Sequence, residues 1–477
     1  MIGIEQSPDQ LDPRFAIDAI GSKIRGLVFS GLLGLDETQN FIPELAKSYT
    51  IRDEKTYEFD LRENLFFHDG SVLTSEDVKA TYLSMMVLKN RSPYFGSLQV
   101  IKKMETPSPQ QIIFHLNRSY APFLTLMTIG IVPKKLVDQN PISDSQLIGS
   151  GPYAFLKIRE EKIALKRFFR FHGEKAKTEN LLFRIVKENT LRSMELLKGR
   201  IDLLQNNIPY VMVPFFQKKE NLQFQRRTGI NFSYLSFNFR NPYLQHRAVR
   251  EAIALAIDRE NIIRYKLKGL ASLANSLLNP NHWAFHSSLK TFARNLKKAK
   301  ALLEKAGFPD PDGDGPQMRF SLTYKTSTDK VRLEIAQLIA ENLREIGIGV
   351  TIKSHEFGTF YRDIKQGNFD IYTLTWVGLF DPDIYYSVGH SEQIPPKGSN
   401  RGFYKNLIFD QMVSQAQTET DFKKRKQLYH HIQSVFYDDF VYVPLWYEDN
   451  YVFFHKRVKG YTLRPDASFK NLVSAYK

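Results

Sequence analysis

The stretch NFSYLSFNFRNPYLQHRAVREAIALAIDRENII, Asn231 to Ile263, decides how the rest of the chain is read. Between Ser233 and Phe239, the apolar Leu235, Phe237 and Phe239 alternate with Ser236 and Asn238, the two-residue period of a strand with one covered face. The period then changes. Val249, Ala252, Ile253, Ala256 and Ile257 fall at i, i+3, i+4, i+7 and i+8 and form one apolar stripe, with Arg247, Arg250, Glu251 and Arg259 on the other side. A strand, a polar turn at Pro242 and an amphipathic helix follow one another, as they do in an α/β core.

Outward from this stretch, the second half of the chain repeats the alternation. Helices are expected at Leu296–Ala306, which Gly307 and Pro309 end, at Val331–Ile346, Phe360–Lys365 and Phe422–Tyr437, and strands at Arg319–Lys325, Gly349–Lys353 and Phe369–Trp376. Two further extended pieces, Val441–Leu445 and Tyr451–His455, close the region. Before Arg227, strands, turns and helices mix as in an α+β lobe. Thr74 and Asp77 are spaced to cap a helix whose buried stripe is Val78, Tyr82, Met85 and Met86, and His68-Asp69-Gly70 reads as a turn with a hydrogen-bonding histidine. No Gly-rich or Pro-rich linker marks a boundary, which suits two neighbouring strands crossing between lobes better than domains on a string.

A chain of 477 residues is too long for one core. With 42% hydrophobic and 13% aromatic residues it has the material for two or three. The absence of cysteine excludes disulfides, Fe–S clusters and thiol catalysis. No run of eighteen apolar residues occurs, and MIGIEQSP lacks the basic and apolar regions of a signal peptide, so the chain is either cytoplasmic or has lost a signal. The net charge of +15 raises nucleic acid or an anionic surface as partners. Its Lys/Arg pairs are scattered, however, with no RNP-like or zinc-finger pattern, and read as solvated faces, so no nucleic-acid partner is expected.

Motifs for catalysis and metal binding are weak. Asp310, Asp312, Asp314 and Gly315 match positions 1, 3, 5 and 6 of an EF-hand loop, but position 12 is Ser321 and a strand follows, so no calcium site is expected. His282 and His286 have i, i+4 spacing without a third ligand, and His430-His431 reads as exposed surface. Ser287-x-x-Lys290 matches a β-lactamase tetrad without its companion motifs; a hydrolase is the alternative of another class, and no cofactor is expected. The best binding candidate is WVGLFDPDIYY, Trp376 to Tyr386, where a large flat ring, two carboxylates at Asp381 and Asp383 and two tyrosines are of the kinds that line adaptable pockets. A core tryptophan followed by an Asp-Pro-Asp turn is the plainer reading.

The order FN, Pro242, RAVREAIALAID resembles the family 5 solute-binding proteins, the oligopeptide and dipeptide receptors of ABC importers. LDP (Leu11 to Pro13), PELAKSY (Pro43 to Tyr49), TYEFDLRENLFFHDGSVLTSEDV (Thr56 to Val78), GSGPY (Gly149 to Tyr153), GRIDL (Gly199 to Leu203) and KKAKALLEKAGFPD (Lys297 to Asp310) are similar to it in the same order, so the resemblance covers nearly the whole chain. It implies an α/β, two-lobed periplasmic-binding-protein-like fold of the class II type, with an extra subdomain in the first lobe and a ligand cleft between lobes. The lobes would be 1–229 and 230–450, with 451–477 returning to the first, and would close on ligand about Arg227–Asn231 and Asp449–His455. It further implies an exported monomer, periplasmic or at the cell surface, with a lipid-anchored cysteine upstream of Met1, which hands a peptide or other small solute to permease subunits. Glu5, Ser7, Asn238, Trp376, Leu379, Asp381 and Tyr385 are the ligand-binding positions it suggests. Peptide-binding relatives usually carry, three residues after this tryptophan, an aspartate that pairs with the peptide's amino group. Here that position is Leu379, in a loop about one residue shorter, which leaves a sugar, opine or metal chelate as the alternative solute.

Overall fold

The opening stretch folds as the end of a long strand, Leu222–Phe237, followed by the helix Arg247–Ala256. Phe232 to Phe237 are all buried, so this end of the strand is covered on both faces rather than one, and Phe239 lies beyond it. Val249, Ala252, Ile253 and Ala256 are buried as their stripe requires. Arg250 and Arg259, expected on the polar side, are buried too. Their guanidinium groups donate to main-chain carbonyls, Arg250 Nε to Asp439 at 3.0 Å and Arg259 Nη1 to Pro444 at 2.8 Å, so each satisfies orphaned acceptors from inside the fold.

A computed structural model describes residues 1–15, 18–313 and 315–477, which divide into two units: Met1–Arg227 with Asn450–Lys477, and Thr228–Asp449. In the first, the antiparallel strands Tyr153–Arg159, Lys162–Arg167 and Asn180–Ile185 lead to Ile2–Ile4, which lies parallel to Asn180–Ile185 on one side and to Leu203–Gln205 on the other. Leu203–Gln205 pairs with Val452–Phe454 near the C-terminus. The same unit holds a separate four-stranded antiparallel sheet of Ala46–Asp53, Thr56–Leu61, Gln111–Leu116 and Ile101–Ser108. This sheet has its own core, in which Phe59, Phe114 and Phe123 pack with Val78, Tyr82 and Met85 of the helix Ser75–Met85. The Thr74 N–H donates to Asp77 at 2.9 Å where that helix begins.

In the second unit Ile348–His355, Phe320–Ser327 and Ile371–Trp376 run parallel, and Leu222–Phe237 pairs antiparallel with the last of them, from Phe232 opposite Trp376 to Phe237 opposite Ile371. The helices Lys330–Arg344 and Phe357–Gln366 make the crossovers that parallel strands need. The two extended pieces foreseen near the end are one strand, Tyr442–His455. Ala271–Leu273 pairs alongside Trp446 to Glu448, within the part of this strand that belongs to the second unit. Among the described residues no helix is long and apolar enough to cross a membrane.

Candidate ligand-binding residues

The second unit positions Trp376 through a clasp at the other end of its strand. Asn238, at the end of the opening stretch's strand, donates from Nδ2 to Gly367 O at 3.1 Å and Phe369 O at 2.8 Å, and accepts from Arg240 N–H at 3.1 Å. Asp370 accepts from Thr323 N–H at 2.7 Å and Asn241 Nδ2 at 2.8 Å. Asn238 therefore spends its amide fixing the register of the strand that ends in Trp376. The indole is half-buried and stacks on Tyr234, with ring centroids 6.2 Å apart and planes 10° from parallel.

Beyond Trp376 the chain turns sharply at Gly378, whose φ of +68° lies in the left-handed region that glycine adopts without strain. That turn sends Leu379 into the apolar core, where it is 6% exposed. Asp381 accepts from Asp383 N–H at 2.8 Å and from Arg425 Nη2 at 3.3 Å, and both partners of that ion pair are largely buried. Tyr385 is buried and shares a hydrogen bond with the Ser276 hydroxyl at 2.9 Å. In the first unit, Glu5 follows the strand Ile2–Ile4 and accepts from Asn207 Nδ2 at 3.3 Å. Burial lowers the pKa of Lys23 and of Arg192, and the nearby Glu5 carboxylate opposes the shift in each case. Ser7 is exposed, donates to Glu160 O at 3.2 Å, and lines a recess of about 700 Å³ with Leu11, Leu147 and Phe155.

The structure thus divides the seven positions. Trp376, Glu5 and Ser7 keep surface to offer, whereas Asn238, Leu379, Asp381 and Tyr385 direct their side chains into the interior of the second unit. Sequence reading missed what surrounds Trp376. The Arg401 guanidinium lies 4.7 Å from its ring, and Tyr361 and Tyr234 accept hydrogen bonds from that guanidinium.

The metal-like and enzyme-like motifs are placed as well. Asp310 accepts from Arg319 Nη2 at 3.2 Å, Asp312 accepts from Gln317 N–H at 2.9 Å, and the strand Phe320–Ser327 follows; Asp314 lies outside the described residues. Addition of millimolar calcium should leave the melting temperature unchanged, since a ligand bound only by the native fold would raise it. A rise that Asp312→Ala abolishes would refute this reading of the loop. His282 Nδ1 accepts from Ala284 N–H, and His286 stacks on His430 with centroids 4.6 Å apart, so His430 is half-buried rather than exposed. Ser287 and Lys290 are both exposed and lie outside any helix. Among the described residues no three His, Asp or Glu side chains come close enough to hold a metal.

A family profile described as bacterial extracellular solute-binding proteins, family 5 middle, matches residues 40–393. The chain belongs to that family. It is 26% identical to the oligopeptide-binding protein AppA of Bacillus subtilis, over 99% of this chain and 90% of that one. A structure of AppA in complex with a nonapeptide superposes with a TM-score of 0.81 at 26% identity, covering all of this chain and 98% of the other. NikZ from Campylobacter jejuni, solved with Ni(L-His), superposes with a TM-score of 0.84 at 28% identity, covering all of this chain and 99% of that one. The fold is therefore the two-lobed one of periplasmic binding proteins, and the family is one of solute receptors.

Proposed function

We propose that this chain is the substrate-binding component of an ABC importer and that, as an exported monomer, it delivers a peptide to membrane permease subunits. The observation that carries the reading is the family match together with a 26% identity to an oligopeptide-binding protein that spans both units. Extended ligands suit such a receptor because main-chain hydrogen bonds supply affinity whatever the side chains are. In this reading Trp376 offers its ring, and Glu5 and Ser7 offer polar atoms from the first unit. Asn238, Leu379, Asp381 and Tyr385 shape the loop from within.

A second reading, a non-peptide solute such as a sugar, opine or metal chelate, is favoured by one feature. The loop after Trp376 presents no carboxylate for a ligand amine, since Leu379 is core, Asp381 is held by Arg425 and Asp383 accepts from Gln417 Nε2 at 3.0 Å. A buried ammonium without a partner costs several kcal/mol, so the solute's amine, if it has one, is not gripped here. Native mass spectrometry of the purified protein identifies the class of co-purified solute directly. With peptides as probes, N-acetylation should change affinity by less than about threefold, against the tenfold or more expected for loss of a charge-assisted hydrogen bond. A strong preference for the unacetylated peptide that survives Asp381→Asn would sink this account of the loop and point to another carboxylate, with Glu5 the first to test. Leu379→Asp tests packing rather than recognition, because it buries a carboxylate in the core.

A further inference from the structure

We infer that Arg401 recognises a carboxylate of the bound solute, a specificity-determining contact made in the second unit against the face of Trp376. The inference rests on the receptor reading above and adds the charge of the ligand group. Arg401 is only 6% exposed. A buried cation is stable where it meets an anion or several well-placed acceptors. Other buried arginines of the chain follow that rule: Arg14, Arg425 and Arg464 face Asp12, Asp381 and Asp466, and Arg192, Arg250 and Arg259 donate to main-chain carbonyls. Even Arg25 has Asp18 and Asp12 within electrostatic reach.

Among the described residues Arg401 finds neither arrangement. Nη1 donates to Tyr234 Oη at 3.3 Å and Nη2 to Tyr361 Oη at 2.9 Å, and the guanidinium carbon lies 4.7 Å from the Trp376 ring and 5.1 Å from that of Tyr361. The ionisable groups that act on it most strongly are the tyrosines Tyr234, Tyr372, Tyr361 and Tyr442. Burial pushes the pKa of the Tyr234 and Tyr442 hydroxyls far up, so at neutral pH both are uncharged. Ring faces and phenol oxygens orient the guanidinium plane but do not neutralise it. Tyr361 and Trp376, the two rings against which it lies, are both only half-buried. A preorganised planar fork with no counter-ion among the described residues, beside half-buried aromatic surface, is suited to a carboxylate held by two parallel hydrogen bonds. That group can be the terminus of a peptide or an arm of a small carboxylate chelator; both present the same two oxygens.

Calorimetry on the full chain distinguishes these sources, with penta-alanine, its C-terminal amide and citrate as probes. Penta-alanine should bind at least about tenfold more tightly than the amide, and Arg401→Gln should abolish the difference. An amide that binds as well as the acid, or a preference that persists in Arg401→Gln, overturns the inference. If neither peptide binds, the peptide reading of the solute fails on its own and citrate decides for Arg401. Citrate binding lost in Arg401→Gln upholds the contact; no citrate binding, or binding indifferent to the substitution, refutes it. Should Arg401→Gln not fold, Tyr361→Phe removes only the phenol oxygen that holds Nη2. It should shrink the preference of wild type for the acid, or for citrate over buffer, and an unchanged preference counts against the contact.

Discussion

Arg14→Leu should lower the free energy of unfolding by about 3–5 kcal/mol, the cost of stranding one member of a buried ion pair. Arg14 and Asp12, the aspartate of the Leu-Asp-Pro block, have fully buried side chains. The guanidinium meets the carboxylate in a fork, Nε to Oδ1 at 3.0 Å and Nη2 to Oδ2 at 2.7 Å, and also donates to Val137 O and Gln139 O. Asp12 Oδ2 in turn accepts from Ile142 N–H at 2.9 Å. The pair therefore ties the start of the chain to the segment around residue 140. Urea denaturation of Arg14→Leu, Asp12→Leu and the double variant measures it. The double variant should be less damaged than the sum of the singles by at least about 1 kcal/mol, because no lone charge is left buried. A loss under about 1 kcal/mol for Arg14→Leu would mean that water reaches the pair and that it is not the clasp described here.

Acid should weaken the fold between pH 6.5 and about pH 4, with His282 as one source. His282 is 3% exposed; Nδ1 accepts from Ala284 N–H at 3.1 Å, so Nε2 carries the proton and donates to Phe380 O at 3.3 Å. A second proton would have to displace the Ala284 bond in a dry site. Burial accordingly lowers its pKa from 6.5 to about 4, with the nearby Asp381 pulling the other way. The unfolded chain thus takes up a proton below pH 6.5 that the folded chain refuses until about pH 4. Stability is complete above pH 6.5 and falls through that window, by up to about 3 kcal/mol for a fully buried imidazole. His68 in the first unit repeats the arrangement, with Gly149 N–H on Nδ1, Gly151 O at Nε2 and a pKa again lowered by burial to about 4. Chemical denaturation at half-unit pH steps should give a His282→Gln variant whose stability is flatter near pH 5 by about 1 kcal/mol per pH unit. Parallel curves for wild type and variant would show that His282 ionises in the fold.

Much of the architecture was legible because it is periodic. The stripes that mark Arg247–Ala256, Lys330–Arg344 and Phe422–Asp438 are local patterns of spacing, and a handful of residues suffices to read each. Burial of Arg250 and Arg259 was not legible. A charged residue on a helix reads as solvated unless the carbonyls that accept from it are known, and these come from residues 439 and 444. In the candidate site, counting three residues from Trp376 identifies Leu379 in sequence, but only the turn at Gly378 shows that it points into the core. The surroundings of Trp376 had no sequence signal at all. Tyr234, Tyr361, Arg401 and Tyr442 lie on separate segments, and no spacing rule links a strand, a helix, a turn and a second strand.

The pairing of Leu203–Gln205 with Val452–Phe454 also sets an order of events during synthesis. Residues 228–449 form one unbroken segment, so that unit has all its parts as soon as the segment has emerged. The other unit does not. Val452, Phe454, Tyr461, Leu463, Phe469 and Leu472 belong to the same core as Ile2, Ile4 and Leu203, so that core, unlike the separate one under the four-stranded sheet, waits for residues 450–477. During synthesis, then, the strand Ile2–Ile4 is made first and is among the last to find its full set of neighbours.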